Sequence, residues 1–231
     1  MGTIRTKGDI MSMTERFSEI LGNNMDSYAF HILGCGAIGS SAATQLARMG
    51  AGMMTLYDMD TVAMENIGVS QYTFKDLDKP KVEALKKIIS HINPVCVVDT
   101  INGKFIDRLY NPDPMLKNII ILGFDSMASR LEAVTMVTNN QRQPEALIDG
   151  RMGAEHYQQY TFLKPTLKSY LKTWYSDSDG DPEPCNAKAT SYCSNMSGSF
   201  ISNAVRKVIT GQPFNREFSF NFPTLMLGKN N

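Results

Sequence analysis

The chain has 231 residues, 42% of them apolar, and its 23 basic and 23 acidic side chains give a formal net charge of zero. That balance argues against a protein whose main task is to coat nucleic acid or an anionic membrane, while the apolar fraction suffices for a sizeable core. No apolar run reaches the length of a bilayer span and Met1–Asp9 lacks the apolar centre of a secretory signal, so a cytoplasmic protein is expected.

Met11–Leu21 places Met13, Phe17, Ile20 and Leu21 on one helical face, with Thr14 or Ser12 as caps, and Gly22-Asn23-Asn24 ends it. Residues 1–27 are therefore expected to form an N-terminal helical segment ahead of one domain over 28–231. His31-Ile32-Leu33 is short and apolar, as a buried strand entering a turn should be. Gly34, Gly36 and Gly39 then spell G-x-G-x-x-G, and Ser40–Met49 continues as a helix with Ala43, Leu46, Ala47 and Met49 on its apolar face. Such a turn lets backbone approach a phosphate, and the free N–H groups and positive dipole end of the helix favour its charge. A second apolar run, Met53–Tyr57, ends in Asp58, nineteen residues beyond Gly39, where such folds place the carboxylate that holds ribose hydroxyls. A nucleotide is the expected ligand.

The next helix is expected over about Pro80–Ser90, with Asp78 as its cap and Val82, Leu85, Ile88 and Ile89 as its buried stripe. Val95–Ile101 reads as a strand, and the unbroken apolar run Asn118–Phe124 suits a strand covered on both faces. It ends in Asp125, either a site carboxylate or the N-cap of a helix over Ser126–Val137. Ala146–Ile148 makes a further short strand before the turn-like Asp149-Gly150-Arg151, and the alternation of His156, Tyr157, Tyr160 and Phe162 indicates an antiparallel strand. Tyr175–Pro184 is a loop, followed by a helix over about Thr190–Ile209 and a closing strand over Glu217–Phe222. Strands separated by helices, then antiparallel pattern, predict an α/β protein: a Rossmann-like, mostly parallel sheet with antiparallel C-terminal strands and helices on both faces. Cys35, Cys96, Cys185 and Cys193 show no C-x-x-C spacing, so reduced thiols without structural zinc are expected.

In order after the glycine loop, Asp58-Met59-Asp60-Thr61-Val62, Asn66, Gln71, Lys79-Pro80-Lys81-Val82-Glu83-Ala84 and Asp125 resemble the ThiF/MoeB/HesA family, the adenylating fold shared with ubiquitin-activating enzymes. The resemblance covers about residues 12–210. It implies activation of a carboxylate as an acyl adenylate with Mg-ATP, usually at the C-terminus of a ubiquitin-like or sulfur-carrier protein or a peptide, by a homodimer. Carried over residue by residue, Gly34, Gly36 and Gly39 match the loop near the phosphates and Asp58 matches the ribose ligand, with Ala37, Ile38 and Asp60 also counted among the nucleotide-binding residues. Asn66, Gln71 and Lys81 match groups around the triphosphate, and Asp125 matches the magnesium ligand. Cys185 matches a position that some members use for thioester or persulfide transfer, and a crossover loop is implied over about 165–185.

Two family arginines are missing. Ser70 stands before Gln71 where an arginine is usual, and Arg16-Phe17-Ser18-Glu19 keeps only the first of an arginine pair. Arg16, Arg130 or Arg151 are the candidates to replace that charge. Two other readings stay open on the residues: a non-catalytic nucleotide- or partner-binding relative, favoured by the lost arginines, and a nicotinamide or flavin oxidoreductase, which the glycine loop and Asp58 alone permit.

Overall fold

A computed structural model of the chain describes residues 8, 13–22, 25–106, 110–178 and 189–230. Its strands are β1 (Tyr28–Leu33), β2 (Met53–Asp58), β3 (Val97–Asn102), β4 (Lys117–Leu122), β5 (Ala146–Gly153), β6 (His156–Leu163), β7 (Glu217–Asn221) and β8 (Met226–Asn230). Four long helices, α1 (Ala37–Arg48), α2 (Lys81–Ile92), α3 (Met127–Asn139) and α4 (Ser191–Ile209), cover them.

The strands form one sheet in the order β3-β2-β1-β4-β5-β6-β7-β8. Pairing is parallel from β3 through β5 and antiparallel from β5 through β8. From β1 the chain winds outward through β2 and β3, then returns to the other side of β1 for β4 and β5. The strand order reverses between β1 and β4, and at such a point the loops leaving adjacent strand ends diverge and leave a crevice.

Successive strand residues point to opposite faces, so a strand covered on both sides has no polar alternation to show. Phe30, Ile32, Ile119 and Ile121 enter the core under α1, α2 and α4, while Leu33, Ile120 and Leu122 enter a second core with Ala133, Val134 and Val137 of α3. The periodicity of α2 holds: Val82, Leu85 and Ile89 are buried. α4 returns across the whole chain to lie on α1. Ser194 donates its hydroxyl to Ala37 O at 2.9 Å, and at Gly198 a Cβ would stand 2.3 Å from Ser41 Oγ, so only glycine permits that approach.

Several boundaries differ from expectation. The N-terminal segment is broken into a 3-10 turn, Glu15–Phe17, and a short helix, Ser18–Leu21, with Ser18 Oγ donating to Glu15 O at 3.0 Å. Pro80 is the N-cap residue of α2, whereas Asp78 sits at φ +63° in the preceding turn. Ser126, not Asp125, caps α3, accepting from Ser129 N at 3.2 Å. β5 continues through Asp149-Gly150-Arg151 to Gly153, because every residue from Ala146 finds a partner on β6. β7 does not close the sheet; β8 pairs beyond it. Among the described residues no helix is long and apolar enough to cross a membrane.

Candidate functional site

A cleft of about 1600 Å³ opens over the C-terminal ends of β2, β1, β4 and β5. It is lined by Gly34, Gly36, Ala37, Ile38, Asp58, Asp60, Asn66, Lys81 and Asp125, among others. Lys81 and Asp125, 44 residues apart in the sequence, thus face the same space.

The three glycines have different reasons to be there. Gly34 has φ +89°, and a Cβ on it would lie 2.8 Å from Gly123 C, so the turns leaving β1 and β4 touch through backbone. A Cβ on Gly39 would fall 1.8 Å from Gly34 O, closing the turn against the first residues of α1. Around Gly36 a Cβ would meet nothing within 4 Å. The outer two are required by the fold, while the middle one leaves room in the cleft. Gly36 is also the N-cap residue of α1 and offers no side-chain cap, so the first-turn N–H groups are left for a ligand.

Asp58 is fixed by backbone: Oδ2 accepts from Cys35 N at 2.7 Å and Oδ1 from Asp60 N at 2.9 Å. Burial raises its pKa above the ordinary carboxylate value, against the pull of those two amides and of Lys81. Lys81 opens α2 yet is only 8% exposed, and its Nζ lies 2.7 Å from Asp60 Oδ2. Burial alone would lower its pKa; the Asp60 contact and the nearby Asp58 outweigh it and the pKa rises, so the amine is a firm cation. Tyr72 ties this flank together, its hydroxyl donating to Cys35 O at 2.6 Å and lying 3.3 Å from Lys81 O. Asn66 accepts from Ala63 N at 2.9 Å through Oδ1, which ends the turn before the short helix Met64–Ile67 and turns the residue toward the cleft.

Asp125 is exposed at the cleft. Its alternative as a helix cap is removed by Ser126 and by Asp177, whose carboxylate accepts from Met127 N at 2.7 Å and Ala128 N at 3.2 Å. Trp174 Nε1 donates to Met127 O at 2.9 Å, so residues 174–177 are fastened to the first turn of α3.

On the far flank a buried ion group was not legible in the sequence. Asp149 is 0% exposed and accepts from Arg130 Nη1, from Arg151 Nε at 2.9 Å and from Tyr170 OH at 3.1 Å. Arg130 Nη2 also donates to Phe124 O, and Arg151 Nη1 to Thr173 O at 2.7 Å. The Arg151 guanidinium lies over the rings of Tyr160, at 4.3 Å, and Tyr175, at 5.3 Å. Burial opposes its charge, but Asp149 more than compensates and its pKa rises. Both arginines reach the cleft wall. Nothing in the sequence marks Asp149 as their hub, since Asp-Gly-Arg reads as a turn and Arg130 lies nineteen residues away.

Other expected site residues fall elsewhere. Gln71 donates through Nε2 to Asn195 Oδ1 at 2.8 Å and braces α4 rather than lining the cleft. Arg16 is exposed on its 3-10 turn and does not line the cleft; that turn packs on the core through Phe17. Ser70 does line it, with a buried hydroxyl that has no partner among the described residues. Cys185, with the last part of the expected crossover loop from residue 179 on, lies outside the described residues. Cys193 is buried in α4, where burial pushes its thiol up to about 11.

Sheet order and glycine turn define a protein of the doubly wound, Rossmann-like α/β class, with its cleft at the point where the strand order reverses. More narrowly, the chain belongs to the ThiF family, whose profile matches residues 12–226. It is 41% identical over 75 residues to the molybdopterin-synthase adenylyltransferase of Haemophilus influenzae, a match covering 32% of this chain and 30% of that protein. To the tRNA threonylcarbamoyladenosine dehydratase of Bacillus subtilis it is 35% identical over 80 residues, 34% of this chain and 32% of that one. The matched stretches thus span about a third of these relatives. Among solved structures, PaaA shares the fold with a TM-score of 0.76 at 19% identity, over 100% of this chain and 76% of that one. Escherichia coli MccB, solved with ATP, does so with a TM-score of 0.67 at 18% identity, over 93% and 65%.

Proposed function

We propose that the protein is an ATP- and magnesium-dependent adenylyltransferase that activates a carboxylate, the C-terminus of a ubiquitin-like or sulfur-carrier protein or of a peptide. The observation that carries this reading is that one cleft is lined by the glycine turn, Asp58, Lys81 and Asp125 together. A hydride-transfer enzyme would need the first two but neither a buried lysine nor an exposed carboxylate beside the phosphates. Relatives named adenylyltransferase and a neighbour solved with ATP support it.

In this reading the ribose lies on Asp58 and the phosphates over Gly36 and the open first turn of α1. An oxygen of the acceptor carboxylate attacks the α-phosphorus, the bond to the bridging oxygen of pyrophosphate breaks, and the products are acyl adenylate and pyrophosphate. Anion meets anion, so fixed positive charge beside the reacting phosphate is the main requirement. Lys81, held by Asp60, supplies it without reorganising. Among the described residues no three His, Cys, Asp or Glu side chains gather into a metal cage. A lone exposed carboxylate such as Asp125 fits magnesium, which is usually held by one or two carboxylates together with substrate phosphates and water. When bound there, the ion would neutralise charge on the phosphates.

The test is ATP–pyrophosphate exchange with candidate acceptors, together with magnesium-dependent ATP binding. Lys81→Ala and Asp125→Ala should each abolish exchange with circular dichroism unchanged; exchange at the wild-type rate in both refutes the assignment. ATP binding without exchange for any acceptor would favour a non-catalytic relative, the reading that Ser70 supports. For Cys185, mass spectrometry of a reacting mixture should be compared with Cys185→Ser; no adduct lost on substitution leaves adenylylation as the only chemistry.

A further inference from the structure

The two flanks of the cleft hold their charges differently. On the flank of β1 and β2, Asp58, Asp60 and Glu65 line it with one lysine, Lys81. On the flank of β4 and β5, the buried Arg130 and Arg151 share the single buried carboxylate of Asp149; Asp125, Glu132 and Asp177 line the same flank, but among the described residues none of them pairs with either arginine, so one buried positive charge has no ion-pair partner of its own. Joining β5 to α3 does not demand this, because well-packed apolar side chains would do it at equal or lower free energy. A buried, uncompensated cation at a cleft wall instead fits an anion that arrives from the cleft.

Which anion follows from the geometry of displacement at phosphorus, where attacking and leaving oxygens stand roughly in line on opposite sides. With pyrophosphate leaving toward Asn66 and Lys81, the attacker enters from the Arg130 and Arg151 side. Resting on the adenylylation reading, we propose that Arg151, backed by Arg130, is the docking point of the acceptor's carboxylate, and that Asp149 is a positioning residue that holds both guanidinium groups. The rings of Tyr160 and Tyr175 lie against the Arg151 guanidinium. The carboxylate arrives already ionised, so no base is needed: its oxygen forms the bond to phosphorus and the electron pair of the broken bond leaves with pyrophosphate.

A peptide offers that carboxylate from two sources, its C-terminus or an acidic side chain. The experiment is calorimetric titration of the protein, loaded with α,β-methylene-ATP and magnesium, using Ala-Gly-Gly as free acid, Ala-Gly-Gly amide, and acetyl-Ala-Glu-Gly amide. At least one of the two carboxylate-bearing peptides should bind and the plain amide should not; which one binds assigns the source. Arg151→Gln should weaken that binding at least about tenfold, the size of one lost charge-assisted hydrogen bond. Arg151→Lys should recover part of it, and Tyr175→Leu, at a half-exposed position, should weaken it less. Nucleotide affinity should stay within about twofold in all three, showing an intact fold and nucleotide site. The proposal is overturned if neither carboxylate peptide binds the wild-type complex, if Arg151→Gln binds as wild type does, or if nucleotide affinity falls in step in Arg151→Gln and Arg151→Lys. Failure of the wild-type protein to bind nucleotide at all would instead overturn the adenylylation reading.

Discussion

Replacing Asp149 by alanine should come close to unfolding the protein. The side chain is fully buried and serves Arg130, Arg151 and the Tyr170 hydroxyl at once. Removing one partner of a buried ion pair costs about 3–5 kcal/mol, because the other charge stays behind without compensation. Here two cations and a hydroxyl are orphaned, and the unsatisfied donors add about 1–3 kcal/mol more. A loss of about 4–8 kcal/mol stands against a total stability of about 5–15 kcal/mol for an ordinary domain. Asp149→Asn keeps the volume and one acceptor oxygen and should lose about half as much. Urea unfolding reports this directly through Trp174, the only tryptophan, whose indole donates to Met127 O one turn from the arginines. The midpoint should fall by about 2 M or more in the alanine variant. A loss below about 1 kcal/mol would refute the claim that this carboxylate organises the flank.

Gly36→Ala should leave the urea midpoint unchanged, within about 0.5 kcal/mol, while weakening ATP binding; Gly39→Ala should cost at least about 3 kcal/mol, since its Cβ has only backbone to displace. Equal stability of the two would overturn the division of labour among the glycines. Lys81→Met should cost only about 1 kcal/mol, because Asp60 is mostly solvated, yet stop pyrophosphate exchange; calorimetry that shows a larger loss of stability would make the lysine a structural residue. His31 is 2% exposed, with Nε2 2.9 Å from Asn118 Oδ1, and burial lowers its pKa below 6.5. The unfolded chain therefore takes up a proton first as pH falls, so stability is full above 6.5 and declines below it through the folded-state pKa. Urea midpoints from neutral to mildly acid pH should show this decline and lose part of it in His31→Gln; identical profiles would exclude His31 as a source.

The glycine turn, Asp58 and the two-faced strand Asn118–Leu122 were legible because each is set by neighbours close in sequence or by a periodicity. Asp125 was legible as a residue of the cleft through its place at a strand end, but the role of cap went to Ser126, one residue on. The arginine flank was hidden for a physical reason. β5 looks finished at Ile148 because Asp149 and Gly150 are turn formers, and only the antiparallel partner β6 and the buried counter-charges carry the strand on to Gly153. β8 was missed likewise, since Pro223 and Gly228 break its pattern and pairing with β7 supplies what local preference lacks. Gln71 and Arg16 were carried by resemblance alone: Gln71 binds Asn195, and Arg16 stays exposed and outside the cleft lining.

The clasp between Gly198 and Ser41 carries a consequence for synthesis. The loop beneath the cleft is shaped by a helix that leaves the ribosome more than a hundred and fifty residues later, so the early strands must wait, apolar on both faces, for a late arrival. Nascent chains stalled short of residue 198 should therefore be sticky, protease-sensitive and dependent on chaperones, and should become compact abruptly once α4 is released.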